Sequence, residues 1–488
     1  MPRRLIAIAT FPLVALAVAC SDPPTSGSGD DVATGGAGDG AALPECPLDA
    51  LDAAEGPVEI DLWYGGIAGT VKDTMDGMVE RFNASQDKVV LRASDQGSSY
   101  EEVYRKYESA SSASKDQLPD VIYLEQTQLQ ALAEGGEVLP AQACMEADGY
   151  DVTEILPSVR AAFEVEDVLY PGYMNVSGSV LYYNKAHWAR AGLDAEDPPD
   201  TLDELYEQAR ALKDAGVSDK PFVLKASHTF LTNWLGGVGV DVVNEDNGRS
   251  GLATEATFDT PEAVELMEFL VKMNDEGLLN VFSSTEGGID HYLALVNQQS
   301  SMLIETSTAS TTIRDALAGT ISADEVGVDI DESGLDLSQL VPGTGQFPGI
   351  EAPGQITTGG GAFFMLNTSD PAQQAASWQF LRFMLDPAQA TEWHLNGGYL
   401  PILKSLENEP AVQDFWENDV AGVLLQPAVE QLDDADPDRP GPLIGPYIDF
   451  VDETQAAMEA ILLDGQDPGE ALSSAQDGVT EALDRYAG

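Results

Sequence analysis

The stretch Ser179-Val180-Leu181-Tyr182-Tyr183-Asn184-Lys185 runs on through Ala191-Gly192-Leu193 to Pro198-Pro199-Asp200-Thr201-Leu202-Asp203-Glu204-Leu205. Ser179 to Tyr183 is rich in apolar and aromatic residues and reads as a strand. Lys185 to Ala191 has helical character and stops at Gly192, and Pro198-Pro199-Asp200 leads into a second helix, Thr201 to Ala215. A strand that feeds directly into helices is the building unit of α/β folds.

The same grammar holds upstream. Val58-Glu59-Ile60-Asp61-Leu62-Trp63-Tyr64 alternates as a strand and ends at Gly65-Gly66. Thr70 to Asn83 carries Val71, Met75, Met78, Val79 and Phe82 at helical spacing, and Lys88 to Ala93 makes a second strand. A helix at Tyr100 to Ser112, a strand at Asp120 to Leu124 and a helix at Gln126 to Glu134 follow, closed by Gly135-Gly136. This order predicts a parallel α/β sheet. Downstream, helical spacing recurs at Pro261 to Glu276, Ile289 to Gln298, Ser310 to Ala318, Pro371 to Leu385, Asp386 to Asn396, Tyr447 to Asp464 and Pro468 to Tyr486. Trp378, Phe380, Leu381, Phe383 and Met384 crowd several faces of one helix and read as core.

The N-terminus reads as an export signal over residues 1–20: Arg3 and Arg4, an apolar run from Leu5 to Ala19, then Cys20. Cys20 is placed for lipidation, although Ala17-Val18-Ala19 also suits ordinary cleavage. With three cysteines in the chain, lipidating Cys20 leaves Cys46 and Cys144 either to pair or to stay as buried thiols, and an oxidising compartment favours the pair. Residues 21–56 are expected to act as a tether, with Ser, Gly, Asp, Ala and Pro dominating as far as about residue 45. No second hydrophobic stretch suggests a membrane span.

The chain has 488 residues, 83 acidic against 23 basic, for a formal charge of −60. Such a field repels phosphate backbones and excludes nucleic-acid binding. With 43% hydrophobic residues the acidity describes a solvated surface on a folded protein, and the length calls for two lobes.

The motif order resembles that of extracellular solute-binding protein family 1, the sugar and sn-glycerol 3-phosphate receptors of ABC importers. The likeness rests on Gly97-Ser98-Ser99-Tyr100-Glu101-Glu102, Leu118-Pro119-Asp120-Val121-Ile122, the 180–205 run, Gly359-Gly360-Gly361-Ala362, and Glu392-Trp393-His394 with Gly397-Gly398-Tyr399-Leu400-Pro401. It implies an α/β, two-lobe periplasmic-binding-protein-like fold, class II and cluster-B-like, with the cleft between lobes. It places 57–172 plus 305–366 in one lobe and 173–304 plus 367–488 in the other, with the crossings as a hinge. It further implies a monomeric lipoprotein on the outer face of the membrane that closes on a solute and docks on an ABC permease, without cofactor, metal or catalysis.

By the same likeness Tyr100, Asn175, Ser177, Trp234 and Tyr399 fall where relatives contact ligand. Tyr100 also suits helix-start packing, Asn175 and Ser177 a plain turn, and Trp234 a core position. Three further readings come from the residues themselves. Glu125 follows a parallel strand at its carboxyl end, where such sheets open their crevice, although it could be one more solvated acid. Thr306 and Ser307 follow an apolar strand and open a helix, offering hydroxyls and free N–H groups. Gly360 and Gly361 would let main chain approach a solute, or simply make a turn. Glycerol 3-phosphate receptors carry a basic residue before a final loop, where this chain has Leu443, leaving Arg439 as a displaced substitute. The resemblance with this departure points to a sugar, oligosaccharide or polyol, with sn-glycerol 3-phosphate or a glycerophosphodiester as the alternative. An exported glycoside hydrolase is the remote third reading: no P-loop, G-x-S-x-G or H-E-x-x-H motif is present, and the four histidines are isolated.

Overall fold

Val58–Tyr64 pairs in parallel with Val89–Asp95 along its whole length, from Val58 opposite Val89 to Tyr64 opposite Asp95. The computed structural model that shows this describes residues 43–67, 69–284, 290–319, 339–353, 356–367 and 369–488. The expected signal peptide, Cys20 and the first part of the tether lie outside the described residues.

The first sheet runs Val89–Asp95, Val58–Tyr64, Val121–Glu125, Gly361–Leu366, Val138–Leu139, with Tyr173–Met174 also on Gly361–Leu366. Val121 to Leu124 are buried on both faces, as a strand between helical layers must be. Helices Gly69–Ser85 and Pro371–Met384 cover one face, and Phe82 meets Phe380 edge-on at 5.3 Å. The second sheet runs Leu279–Phe282, Phe222–Lys225, Met302–Thr306, Ser179–Asn184, Pro342–Gln346, and all of Ser179–Asn184 is buried. Both sheets are mixed rather than parallel throughout: Gly361–Leu366 runs antiparallel to Val121–Glu125, and Ser179–Asn184 runs antiparallel to both its neighbours.

Short polar side chains set the helix starts. Ser99 accepts from Glu102 N, Thr201 from Glu204 N, and Asp370 forms a capping box with Gln373 ahead of Pro371. Gly192 ends its helix in the left-handed conformation, φ 77°.

Hydrogen bonding and burial redraw the expected partition. Pro342–Gln346, within the span expected in the first lobe, pairs instead with Ser179–Asn184 of the second sheet, and helix Ala309–Ala318 packs on helix Val420–Asp433. Conversely, helices Pro371–Met384 and Pro387–Gly397 pack on Val58–Tyr64 and Gly69–Ser85, because the aromatic face around Phe380 matches Phe82 and Phe363. The chain thus passes from first sheet to second near 175–178 and returns near 357–360, where Ser177 and Gly359 bridge. The folded part also begins earlier than Pro57. Cys46 is bonded to Cys144, helix Asp49–Asp52 packs on helix Pro371–Met384, and Leu48 and Leu51 lie against the core. Apolar contact and the covalent link therefore remove 43–56 from the tether.

Candidate functional site

The two sheet-centred parts face each other across a cavity of about 230 Å³. Tyr100, at the start of helix Tyr100–Ala113, Glu125, at the end of its strand, and Tyr399, in the loop after helix Pro387–Gly397, make one wall. Thr306 and Thr308 face them, with His228, Thr229 and Thr232 of helix His228–Gly237 and Tyr447 at the head of helix Tyr447–Leu462. The crossings supply Ser177, Thr357, Thr358 and Gly360, and the Pro440–Pro442 loop closes one side.

Behind the tyrosine wall lies a hydrogen-bonded support. The Tyr100 hydroxyl is 3.2 Å from that of Tyr123, and Asn175 Nδ2 donates to Tyr123 at 2.6 Å. Burial, with Tyr399 beside it, pushes the Tyr100 hydroxyl well above the usual phenol range. Glu125 accepts from Thr127 Oγ1 at 3.1 Å, yet burial first and Glu101 second raise its carboxyl to about 7. Burial lowers His228 to about 4, so its ring is neutral at neutral pH. Thr306 and Thr308 share a hydroxyl contact of 2.8 Å.

Thr358 is only 3% exposed, lines the cavity, and its Oγ1 has no partner among the described residues. A buried hydroxyl left open in this way is a group that a polar solute would satisfy. Among the described residues no lysine or arginine lines the cavity. Nor do three His, Cys, Asp or Glu side chains converge there, or elsewhere among the described residues, to hold a metal.

The structure brings together Tyr100, Glu125, Ser177, Thr306, Gly360 and Tyr399 of the residues singled out in the sequence. It places the others elsewhere. Asn175 sits in the support behind the wall. Ser307 accepts from Gly178 N at 3.3 Å and stitches the crossing. Gly361 lies in a strand where a Cβ would come 2.2 Å from the Tyr123 hydroxyl, so its role is packing. Trp234 is fully buried, packs tilted against Phe347 at 5.3 Å and donates to Pro348 O at 2.9 Å; it is core. Arg439 pairs with Asp241 at 3.5 Å and lines a neighbouring pocket of about 200 Å³, on the other side of Pro440–Pro442. Leu443 is buried. Sequence reading missed His228, Thr232, Thr357, Thr358 and Tyr447. Ser227-His228-Thr229 before an apolar run was the available sign of a helix start there.

The sequence profile of the bacterial extracellular solute-binding proteins matches residues 77–421. The chain belongs to that family. Among curated relatives of this solute-binding protein, the sn-glycerol-3-phosphate-binding periplasmic protein UgpB of Shigella dysenteriae serotype 1 (strain Sd197) is 23% identical over 370 residues, 75% of this chain and 78% of its own. The cyclic alpha-maltosyl-1,6-maltose binding protein of Arthrobacter globiformis superposes with TM-score 0.67 at 23% identity, over 88% of this chain and all of that one (100%). UgpB of Mycobacterium tuberculosis, solved with glycerophosphocholine, gives TM-score 0.67 at 19% identity over 89% and 100%. The fold is thus the two-lobe α/β receptor fold. These relatives are solute-binding proteins, and no described helix is long and apolar enough to cross a membrane.

Proposed function

We propose that this solute-binding protein captures a neutral carbohydrate, a sugar, oligosaccharide or polyol, and delivers it to the permease of an ABC importer without chemical change. One observation carries the reading: tyrosines, threonine hydroxyls and the Glu125 carboxyl line one cavity, with no lysine or arginine on its lining among the described residues. Aromatic faces suit the apolar faces of sugar rings, and hydroxyls and a carboxyl suit their rims. The maltose-type ligand in the name of the Arthrobacter relative fits the same chemistry. Tyr100, Glu125, Ser177, Thr306, Gly360 and Tyr399 are the proposed contacts, joined by Thr358 and Tyr447. The two sheets with their helices act as lobes that turn about the 175–178 and 357–360 crossings to close on the solute. In the cell the chain is held as a monomer on the outer face of the membrane through lipidated Cys20, with the residues between it and Cys46 as the tether.

A second reading, a glycerol phosphate or glycerophosphodiester, draws on the names of the two UgpB relatives and on Arg439 in the adjoining pocket. A thermal-shift screen of the chain against maltodextrins, monosaccharides, polyols, sn-glycerol 3-phosphate and glycerophosphocholine separates them. A ligand at ~100 times its Kd adds about 2.7 kcal/mol, a plain shift. A shift with a neutral saccharide is expected; shifts confined to the phosphate compounds would replace the carbohydrate reading by the second.

A further inference from the structure

Arg249 is a half-buried arginine with no carboxylate among its hydrogen-bond partners within the described residues. Within the described residues all its hydrogen bonds end on main-chain carbonyls: Gly441 at 2.9 Å, Ala161 and Glu164 at 3.1 Å, and Ala162 at 3.4 Å. Burial lowers its guanidinium to about 10, still protonated at neutral pH. The acceptors lie on both sides of the molecule. Ala161 and Ala162 belong to helix Pro157–Phe163, and the Ala162 carbonyl also accepts from Gln126, a cavity residue next to Glu125 on the first sheet. Gly441 belongs to the Pro440–Pro442 loop, which walls both the solute cavity and its neighbour.

The segment that delivers Arg249 is strained. Glu245, Asp246 and Asn247 have φ 57°, 54° and 60°, and Gly248 follows at 80°. Left-handed turns of this length are disfavoured for L-residues and persist only where their surroundings fix them. Here Asn247 Oδ1 accepts from Val242 N at 3.0 Å, Asn247 O accepts from Leu443 N at 2.9 Å, and Gly248 is pressed so close that a Cβ would come 2.0 Å from Leu443 O.

We propose that Arg249 is a positioning residue that ties the two lobes together and fixes the Pro440-Gly441-Pro442 loop as a wall of the solute cavity. Its planar fork reaches carbonyls of both parts at once, which a lysine ammonium cannot reproduce. Arg249 is then spent on main chain rather than offered to a phosphate. The inference rests on the hinge-closure reading but not on the identity of the solute.

The test needs no ligand. Small-angle scattering and amide exchange are measured on the full chain, wild type and Arg249→Ala. A larger radius of gyration, with exchange faster by ~10-fold or more in 161–164 and at Leu443, is the expected result. A folded Arg249→Ala with wild-type dimensions and exchange overturns the proposal. If that variant does not fold, Arg249→Lys decides: the same two changes are expected of it, and wild-type behaviour would refute the tie. A negative solute screen with a positive result here would leave the tie standing and remove only the carbohydrate reading.

Discussion

Glu305 accepts a hydrogen bond from Lys225 at 3.1 Å, joining the ends of two neighbouring strands of the second sheet. Glu305 is 3% exposed, and His291 Nε2 lies at 2.7 Å and Thr306 N at 2.8 Å from its carboxylate. Burial alone would raise its carboxyl, but Lys225 and then His291 hold it down at about 2.

Removing one partner of this buried pair leaves a charge without compensation. Lys225→Met is expected to destabilise the chain by about 3 kcal/mol in urea unfolding. A loss under ~1 kcal/mol would show that the pair is solvated in solution. The pH sign follows from the depressed value. Glu305 contributes stability above its ordinary 4.5, and the contribution is lost as pH falls toward 2. Glu305→Gln should therefore flatten acid unfolding in that window.

Glu125 has the opposite sign. Its folded value of about 7 lies above 4.5, so the folded state holds a proton that the unfolded state releases, and stability falls as pH rises between those values. Glu125→Gln should abolish that fall and leave the variant more stable than wild type at pH ~8. Melting curves across the range check it; parallel pH profiles for the two proteins would place Glu125 in water.

The Cys46–Cys144 bond closes a span of 98 residues. On the chain-entropy account its removal by Cys46→Ser with Cys144→Ser should cost about 4.7 kcal/mol. Calorimetry of the double variant measures this, and an unchanged melting temperature would mean that helix Asp49–Asp52 is held by packing alone.

With a formal charge of −60, the surface repels itself. Ion pairs such as Arg92–Glu59, at 2.6 Å but more than half exposed on both sides, do little to offset it. Raising NaCl from ~0.01 to ~1 M shortens the screening length from ~30 to ~3 Å. The melting temperature should rise by at least ~2 °C, and a fall would contradict net repulsion as the dominant surface term.

What the sequence made legible follows burial geometry. Val58–Tyr64 and Ser179–Asn184 announced themselves as apolar or alternating runs, because their side chains alone fill the space around them. Pro342–Gln346, Pro-Gly-Thr-Gly-Gln, could not be read as a strand: a Cβ at Gly343 would come 2.6 Å from the Tyr183 ring, so its composition answers to a partner distant in sequence. Helix His228–Gly237 is buried from Phe230 to Leu235, polar Thr232 and Asn233 included, and helix Val420–Asp433 carries Pro427 in its interior. Tyr399, in a Gly-Gly-Tyr-Leu-Pro loop, was the clearer candidate and lines the cavity, whereas Trp234 read equally as core and packs there. Thr357 and Thr358 carried no local sign, since what distinguishes them is the chain crossing between sheets.

The disulfide also decides how the receptor bears load. Any pull transmitted along the backbone from upstream arrives at Cys46 and passes through sulfur into helix Ala141–Asp148, beside the first sheet. The second sheet and its helices lie outside that load path.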